Sequence, residues 1–453
     1  LTRPKRGAPI LRRTAKKAAL ISLGCAKNLV DSEVMLGGLK AAGYGFAGRP
    51  EDADVVIVNT CGFIAPARAE AEEALASLVA LKKTRPQLAV VAAGCYVERD
   101  RAALQAMFPA VDAWTGVRSF DQIAALVEGR PLRRSPRTYL YSDDSPRLVT
   151  TPGAWAYVKI SEGCSHRCAF CAIPLIKGPY RSRSIASVVR EARALAARGV
   201  KEIDLISHDS TWFGRDRGAR DGLARLLERL GGVGGLEWLR FLYGYPEEIT
   251  DALLEAMAAP RVCRYFDIPF QHADPGLLKA MGRGLDASRA LRLIESLRSR
   301  LPGAAVRTSL IVGFPGEGKK EFAVLKRFVR EARFDHLGVF AYSPEKGTAA
   351  CALPDTISPA EKEDRRREIM ALQAGISLAH NRRRIGRTVE VLVEGPEPES
   401  PGRWIGHTRF QAPEVDGVTR FGLPAGIAEP PSPIVRVAVT AAGAYDLYGE
   451  LAA

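Results

Sequence analysis

Three cysteines in the run SEGCSHRCAFC (161–171), Cys164, Cys168 and Cys171, have the type and spacing to do chemistry. Thiolates hold iron–sulfur clusters because iron bridged by sulfide favours soft, anionic sulfur. The C-x3-C-x2-C spacing supplies three ligands, so a cluster of four irons would keep one iron open for a substrate or cofactor to chelate. Structural zinc is the competing reading. Zinc takes four closed ligands, and His166, between the cysteines, cannot easily reach the same metal.

Cys25, Cys61 and Cys95 form a second set. Each ends an apolar run that reads as a strand: AALISLG (18–24), DVVIVNT (54–60) and LAVVAAG (88–94). Their spacing is about one βα unit each. In an open parallel sheet the C-terminal strand ends converge on one crevice, so the spacing predicts one shared metal site, again with three ligands and one open iron. Cys263 and Cys351 fit neither set and are expected to be free and buried. Eight cysteines in a long chain without a secretory signal point to a reducing compartment.

Other polar groups fall at strand ends. Ser207, His208 and Asp209 close one apolar run, Gln271 and His272 follow another, and Arg307 lies within a third. Structural hydrogen bonding is the alternative role for each. GFPGEGKK (313–320) approaches a phosphate-binding loop, but Lys320 stands where Ser or Thr would hold magnesium. A glycine-rich strand end could still let backbone approach a ligand closely.

These residues need elements to position them. Continuous apolar strands alternate with helical stretches at 29–42 and 65–83, and a fourth strand is expected around 111–115. That is the pattern of a small doubly wound parallel-sheet domain. Residues 131–153 are rich in Pro, Arg, Ser and Asp and read as a linker with one edge strand. Six further strand candidates follow: 155–160, 202–207, 238–244, 264–269, 305–313 and 335–343. Helices such as 185–198 and 318–332 separate them, which suggests a partial or full parallel barrel with its chemistry at the C-terminal strand ends. Ser358, Pro359 and Glu361 open a helix carrying Ile369, Leu372 and Ile376 at helical spacing. From about 381, roughly five short strands suggest a small antiparallel barrel of the OB type. There is no low-complexity segment and no fixed-period repeat.

The chain of 453 residues carries a formal net charge of +14 and is 47% hydrophobic. Such a balance favours acidic partners, nucleic acid or a ribonucleoprotein, or simply gives a basic surface. Arg3, Lys5, Arg6, Arg12, Arg13, Lys16 and Lys17 cluster at the start, but only AALISLG follows, so no signal peptide is expected. No run reaches the roughly 18 apolar residues that span a bilayer.

The C-x3-C-x2-C run after the first strand of a six-unit barrel resembles the radical S-adenosylmethionine superfamily. The upstream cysteines and the small C-terminal barrel make the chain resemble the methylthiotransferases, whose tail is the TRAM domain, over about residues 18–450. LGCAKNLVDSE (23–33), NTCGFI (59–64), SEGCSHRCAFCAIPLIKGPYRSR (161–183), YFDIPFQHAD (265–274), IVGFPGE (311–317) and YSPEKGT (342–348) resemble the RimO type. That branch modifies an aspartate of ribosomal protein S12. The MiaB type, which modifies an adenosine in transfer RNA, would show Gln and Met after its first cysteine. His208 stands where the family more often has Gln, and GRGLDA (282–287) and GKK (318–320) also depart from its pattern.

The resemblance implies an N-terminal methylthiotransferase domain (18–133), a radical core (150–380) and a TRAM domain (381–453). It implies two [4Fe-4S] clusters, one on Cys25, Cys61 and Cys95 and one on Cys164, Cys168 and Cys171. S-adenosylmethionine would chelate the open iron of the second, with Ser207, His208, Arg307, Gly313, Pro315 and Gly316 as its contacts. Its one-electron cleavage would give a radical that abstracts hydrogen from an unactivated carbon. Sulfur held at the first cluster would be methylated and delivered there, leaving a 3-methylthioaspartyl residue. The partners implied are ribosomal protein S12, free or on the small subunit, an electron donor and a sulfur source. Arg382, Arg383, Arg384 and Arg387 would help the TRAM domain dock the target, in the cytoplasm and without a membrane. An RNA-binding iron–sulfur protein without radical catalysis is the rival reading; a binding module would not need the six-unit barrel.

Overall fold

The computed structural model describes residues 16–133 and 135–452. Arg3, Lys5, Arg6, Arg12 and Arg13, and the expectation drawn from them about a signal peptide, lie outside the described residues. Two compact units result. The first takes the chain up to Thr150, then Ser161–Arg183 and Ser343–Cys351; the second takes Thr151–Ile160, Ser184–Tyr342 and the chain from Ala352 onward.

The first unit is built on a parallel sheet of order β2-β1-β3-β4-β5. Its strands are β1 (Lys17–Ser22), β2 (Gly45–Phe46), β3 (Val55–Thr60), β4 (Ala89–Gly94) and β5 (Ala113–Thr115). Every residue of β3 and β4 is buried, which is why both read as unbroken apolar runs rather than alternating ones. Helices α1 (Ala26–Ala41), α2 (Ala65–Leu81) and α3 (Cys95–Met107) lie between them, and α4 (Ile123–Val127) follows β5. Val56, Val58, Val90 and Ala92 pack with Leu75 and Leu78 of α2 and Leu104 of α3. The edge strand β2 was not anticipated, because two residues leave no periodicity to read.

The expected edge strand in 131–153 is not formed by the described residues there. The segment is fastened to α1 instead. The carboxylate of fully buried Glu33 accepts hydrogen bonds from Arg147 (2.6 and 2.8 Å) and from the Thr150 amide (2.6 Å) and hydroxyl (3.0 Å). A side chain at Gly37 would strike the Pro146 backbone at 2.4 Å, so glycine lets the segment lie against the helix.

The chain then gives one strand to the second unit, β6 (Trp155–Lys159), and returns to the first for the antiparallel pair β7 (Ser161–Glu162) and β8 (Arg181–Ser182), with α5 (Ile173–Lys177) between. The second unit continues with β9 (Glu202–Ile206), β10 (Trp238–Phe241), β11 (Tyr265–Asp267), β12 (Ala305–Val312) and β13 (His336–Ala341). Parallel pairing runs β6-β9-β10 and β11-β12-β13. A parallel bridge from Leu239 to Val262 joins the two sets, giving the expected partial barrel. Helix α12 (Pro359–Arg382) begins where anticipated, with the Ser358 hydroxyl accepting the Glu361 amide proton.

Strands β14 (Thr388–Pro396), β15 (Arg403–Thr408), β16 (Thr419–Gly422), β17 (Ile434–Ala442) and β18 (Leu447–Leu451) close a barrel in the order β14-β15-β16-β18-β17. All its pairs are antiparallel except β16–β18, which is parallel; β17 precedes β18 in the chain but lies on its far side. The loop after β15 closes the N-terminal mouth of the larger barrel. Tyr157 donates to the Pro413 carbonyl (3.0 Å), Tyr265 to Asp416 (2.6 Å), and Arg240 to the carbonyls of Arg409 (3.0 Å) and Thr408 (3.2 Å).

Candidate metal centre

Cys25 caps α1, Cys61 directly follows β3, and Cys95 opens α3 directly after β4. These strands are neighbours in the sheet, so parallel pairing alone brings the three loops to one edge. The backbone then turns tightly. Gly24 has φ +91°, and a Cβ on it would lie 2.7 Å from the Cys61 Cβ. Gly94 has φ +97°, and a Cβ there would lie 2.3 Å from the Asn59 side-chain oxygen. Only glycine satisfies both conditions.

One side chain ties the three loops together. Asn28 donates to the carbonyls of Leu23 (3.0 Å) and Thr60 (3.2 Å), and its Oδ1 accepts from the Cys95 Sγ (3.5 Å). Asn59 fixes the Asn28 turn of helix by donating to its carbonyl (2.8 Å) and to the Ser32 hydroxyl (2.9 Å). Burial pushes the Cys61 thiol up to about 11, and charge on Cys25 adds to that. Burial pushes Cys95 up to about 12, against the Lys177 ammonium and with the charges of Cys61 and Cys25. Buried thiols of this kind become thiolates when a cation replaces the proton, which is what metal binding does. Three soft donors on one edge fit an iron–sulfur cluster with an open iron.

The second set lies in the same compact unit. Gly163 has φ +80°, and Cys164 is buried with its amide donating to the Gly178 carbonyl (3.1 Å). The Cys171 amide donates to the Cys168 carbonyl (3.1 Å), closing a turn between them. Ala350 donates to the Ala169 carbonyl (2.8 Å) and pins the loop. Among the described residues, no group of three or more Cys, His, Asp or Glu side chains is gathered tightly enough for a single metal ion. Thiolates around a four-iron cluster stand farther apart than those around one ion.

The remaining candidates lie in the second unit. Ser207 and His208 follow β9 at its C-terminal end, with Ser207 fully buried and 3.4 Å from the Ser210 hydroxyl. Asp209 folds back to accept the Thr211 and Trp212 amides, a turn-forming role. Gln271 takes a left-handed conformation, and its carbonyl accepts from Ile311 (2.7 Å). His272 accepts the Asp274 amide proton at Nδ1 (3.0 Å). Arg307, third in β12, sits instead at the N-terminal mouth, bound to Asp267 (2.8 Å) and near Asp416 (3.5 Å). It is a structural cation there, away from the strand end where the sequence reading seats the cofactor.

Gly313 and Gly316 have positive φ, with buried Pro315 between them. The loop does not present its amides to a phosphate. The buried Glu317 carboxylate accepts the Gly313 amide proton (2.8 Å) and pairs with Arg365 (2.8 Å). The Gly313 amide is thus already taken by a carboxylate and is not offered to a phosphate. Cys263 is fully buried, as expected, and burial pushes its thiol up to about 12. Cys351 is exposed, contrary to expectation, because it lies in a short surface turn at 349–352. Arg382, Arg383 and Arg387 are exposed, whereas Arg384 stacks on Phe410 at 3.7 Å.

Sequence reasoning missed Asn28, Asp31, Glu162 and Lys177. The available signal was a charge or amide set inside otherwise buried runs, such as the lysine that ends AIPLIK (172–177).

Comparison with known proteins adds an independent line. Residues 17–116 match the uncharacterized protein family UPF0004, 158–329 the radical SAM superfamily and 385–452 the TRAM domain. The chain is 44% identical over 441 residues to "Ribosomal protein uS12 methylthiotransferase RimO" of Solibacter usitatus, covering 96% of this chain and 95% of that protein. It is 45% identical, with the same coverage, to the protein of that name from Heliobacterium modesticaldum. Among solved structures, the radical S-adenosylmethionine methyltransferase TsrM from Kitasatospora setae shares its fold, with a TM-score of 0.52, 18% identity and 72% of each chain covered.

Proposed function

The chain belongs to the ribosomal protein uS12 methylthiotransferase RimO family, and on that premise we propose that it inserts a methylthio group at the β-carbon of an aspartate of ribosomal protein S12. It is a radical S-adenosylmethionine enzyme by its central domain. The observation that carries the reading is the shared edge of β1, β3 and β4, where three cysteine loops are tied by Asn28. A protein that only bound RNA would have no use for a second, three-ligand thiolate set beside C-x3-C-x2-C.

In this reading Cys25, Cys61 and Cys95 hold one [4Fe-4S] cluster, and Cys164, Cys168 and Cys171 the other. When bound, these groups and S-adenosylmethionine supply the radical and sulfur chemistry that no side chain can perform. The protein's own work is placement. Gly24, Gly94 and Gly163 set the loop turns, and Asn28 holds the upstream loops in register. Burial of Cys61, Cys95 and Cys164 keeps water from the sulfurs. Ser207, His208, Gly313, Pro315 and Gly316 serve as the S-adenosylmethionine contacts, and Arg307 is left out.

The division into 18–133, 150–380 and 381–453 is proposed for the three functional parts, with the exposed Arg382, Arg383 and Arg387 helping to dock the target. The eight cysteines form no disulfide, which suits a reducing cytoplasm supplying an electron donor and a sulfur source. No described helix is long and apolar enough to cross a membrane.

The test is anaerobic reconstitution with iron, sulfide, reductant and S-adenosylmethionine. Incubation with S12, or with its target-loop peptide, is expected to yield 5′-deoxyadenosine and a methylthio mass gain on the peptide. A gain only on adenosine-modified transfer RNA would move the chain to the other branch. No 5′-deoxyadenosine at all would sink the enzyme reading.

A further inference from the structure

The segments that carry the two cysteine sets share one buried cation. Lys177, at the end of α5, has a side chain 1% exposed, and its ammonium lies 3.1 Å from Asp31 and 3.5 Å from Glu162. Asp31 is on α1, the helix that Cys25 caps; Glu162 is two residues before Cys164. The helix that carries Lys177 packs on the upstream set directly, since Ala172 and Ile176 cluster with Cys95 and Val117. The end of α5 is fastened by Thr138, whose hydroxyl donates to the Lys177 carbonyl (2.7 Å).

Stability does not explain this triad. Replacing buried ions with apolar groups of similar volume is often neutral or stabilising by about 1–4 kcal/mol. A buried ammonium held by carboxylates from both cysteine segments is an expensive way to join them. Electrostatics does explain it. Two anionic carboxylates and a set of cysteine thiolates share one desolvated region, and Lys177 is a cation placed between the carboxylates.

We propose that Lys177 is a positioning residue that sets the reduction potential of the cluster held by Cys25, Cys61 and Cys95, with Asp31 as its counterweight. The proposal rests on the assignment of that cluster above. A reduced cluster carries one more negative charge, so a neighbouring cation stabilises it and a neighbouring anion destabilises it. Losing the lysine therefore makes the cluster harder to reduce, and neutralising Asp31 makes it easier.

The experiment uses the full chain with Cys164, Cys168 and Cys171 changed to Ala, so that only the upstream cluster is loaded. Iron and sulfide are counted first, and the reduction is followed by an EPR-monitored redox titration. Lys177→Met is expected to shift the oxidised-to-reduced ratio at fixed poise about tenfold toward oxidised, about 59 mV for one electron. Asp31→Asn shifts it the opposite way, and Lys177→Arg restores it. If Lys177→Met does not fold, the opposite-signed Asp31→Asn shift and the Lys177→Arg match still decide the matter. Loaded iron with an unmoved potential in Asp31→Asn overturns the proposal. No iron in the parent would instead overturn the cluster assignment, so the two failures are distinguishable.

Discussion

A variant with Cys25, Cys61 and Cys95 replaced by Ala is expected to lose about half of its iron, and all methylthio transfer, while still cleaving S-adenosylmethionine. The argument is one of separate ligand sets. Each set supplies three thiolates, and neither borrows a cysteine from the other, since Cys263 is buried in the second unit and Cys351 lies on a surface turn. Removing one set should therefore empty one cluster and leave the other loaded. Replacing Cys164, Cys168 and Cys171 should do the reverse, abolishing 5′-deoxyadenosine with the upstream iron retained. Iron and sulfide analysis, with chromatography of 5′-deoxyadenosine and peptide mass, reads both arms. Unchanged iron in the first variant would remove the second site from the molecule. The exposed Cys25 and the small, nearly buried Cys61 and Cys95 tolerate Ala sterically, so the loss is read on a folded protein.

Replacing His407 with Gln is expected to cost about 3 kcal/mol of unfolding free energy near neutral pH and to abolish a pH dependence of the parent. His407 sits on β15 between Trp155 and Trp238, about 1% exposed. It binds Glu202 of the larger barrel (2.5 Å) and Glu394 of its own (2.6 Å). Arg240 completes the set against Glu202 (2.9 Å). Burial and then the Glu202 charge hold the Asp204 carboxyl well above its ordinary range. Deleting the imidazolium leaves the Glu202 and Glu394 carboxylates in a buried site with one cation fewer.

The sign follows from the imidazole. Burial lowers its affinity for a proton, but Glu202 and Glu394 outweigh burial and raise it from 6.5 to about 9. A raised group stabilises the fold fully below its unfolded value, and that contribution is lost as pH rises through its folded value. Parent stability in urea should therefore fall between about pH 6.5 and pH 9, and the His407→Gln profile should lack this component. Equal slopes in the two proteins would show that His407 is neutral in the folded state.

The chemistry-bearing residues were legible because ligand chemistry is written in residue type and spacing. C-x3-C-x2-C is local, and the strand-ending positions of Cys25, Cys61 and Cys95 follow from apolar runs that parallel, doubly covered strands require. The alternation of strands and helices gave the first sheet, the six barrel strands and the small closing barrel for the same reason. Elements without periodicity were not legible: β2 is two residues long, and 131–153 carries turn residues whose docking depends on Glu33, a hundred residues earlier. Arg307 shows the limit at a single position. Its strand was readable, but which end of that strand it occupies depends on where the strand begins and on Asp267 and Asp416, which no local pattern announces.

By itself, then, the sequence determined which atoms could ligate iron and in what groups, because a thiolate is a thiolate wherever it lies. Only the tertiary structure decided what surrounds them. Asn28 reaching Thr60 and Cys95, Arg365 pairing with Glu317 beneath a phosphate-like loop, and Lys177 standing among carboxylates from both cysteine segments are contacts between residues distant in sequence. Their energies depend on burial and distance, which are properties of the folded chain and of no single stretch of it.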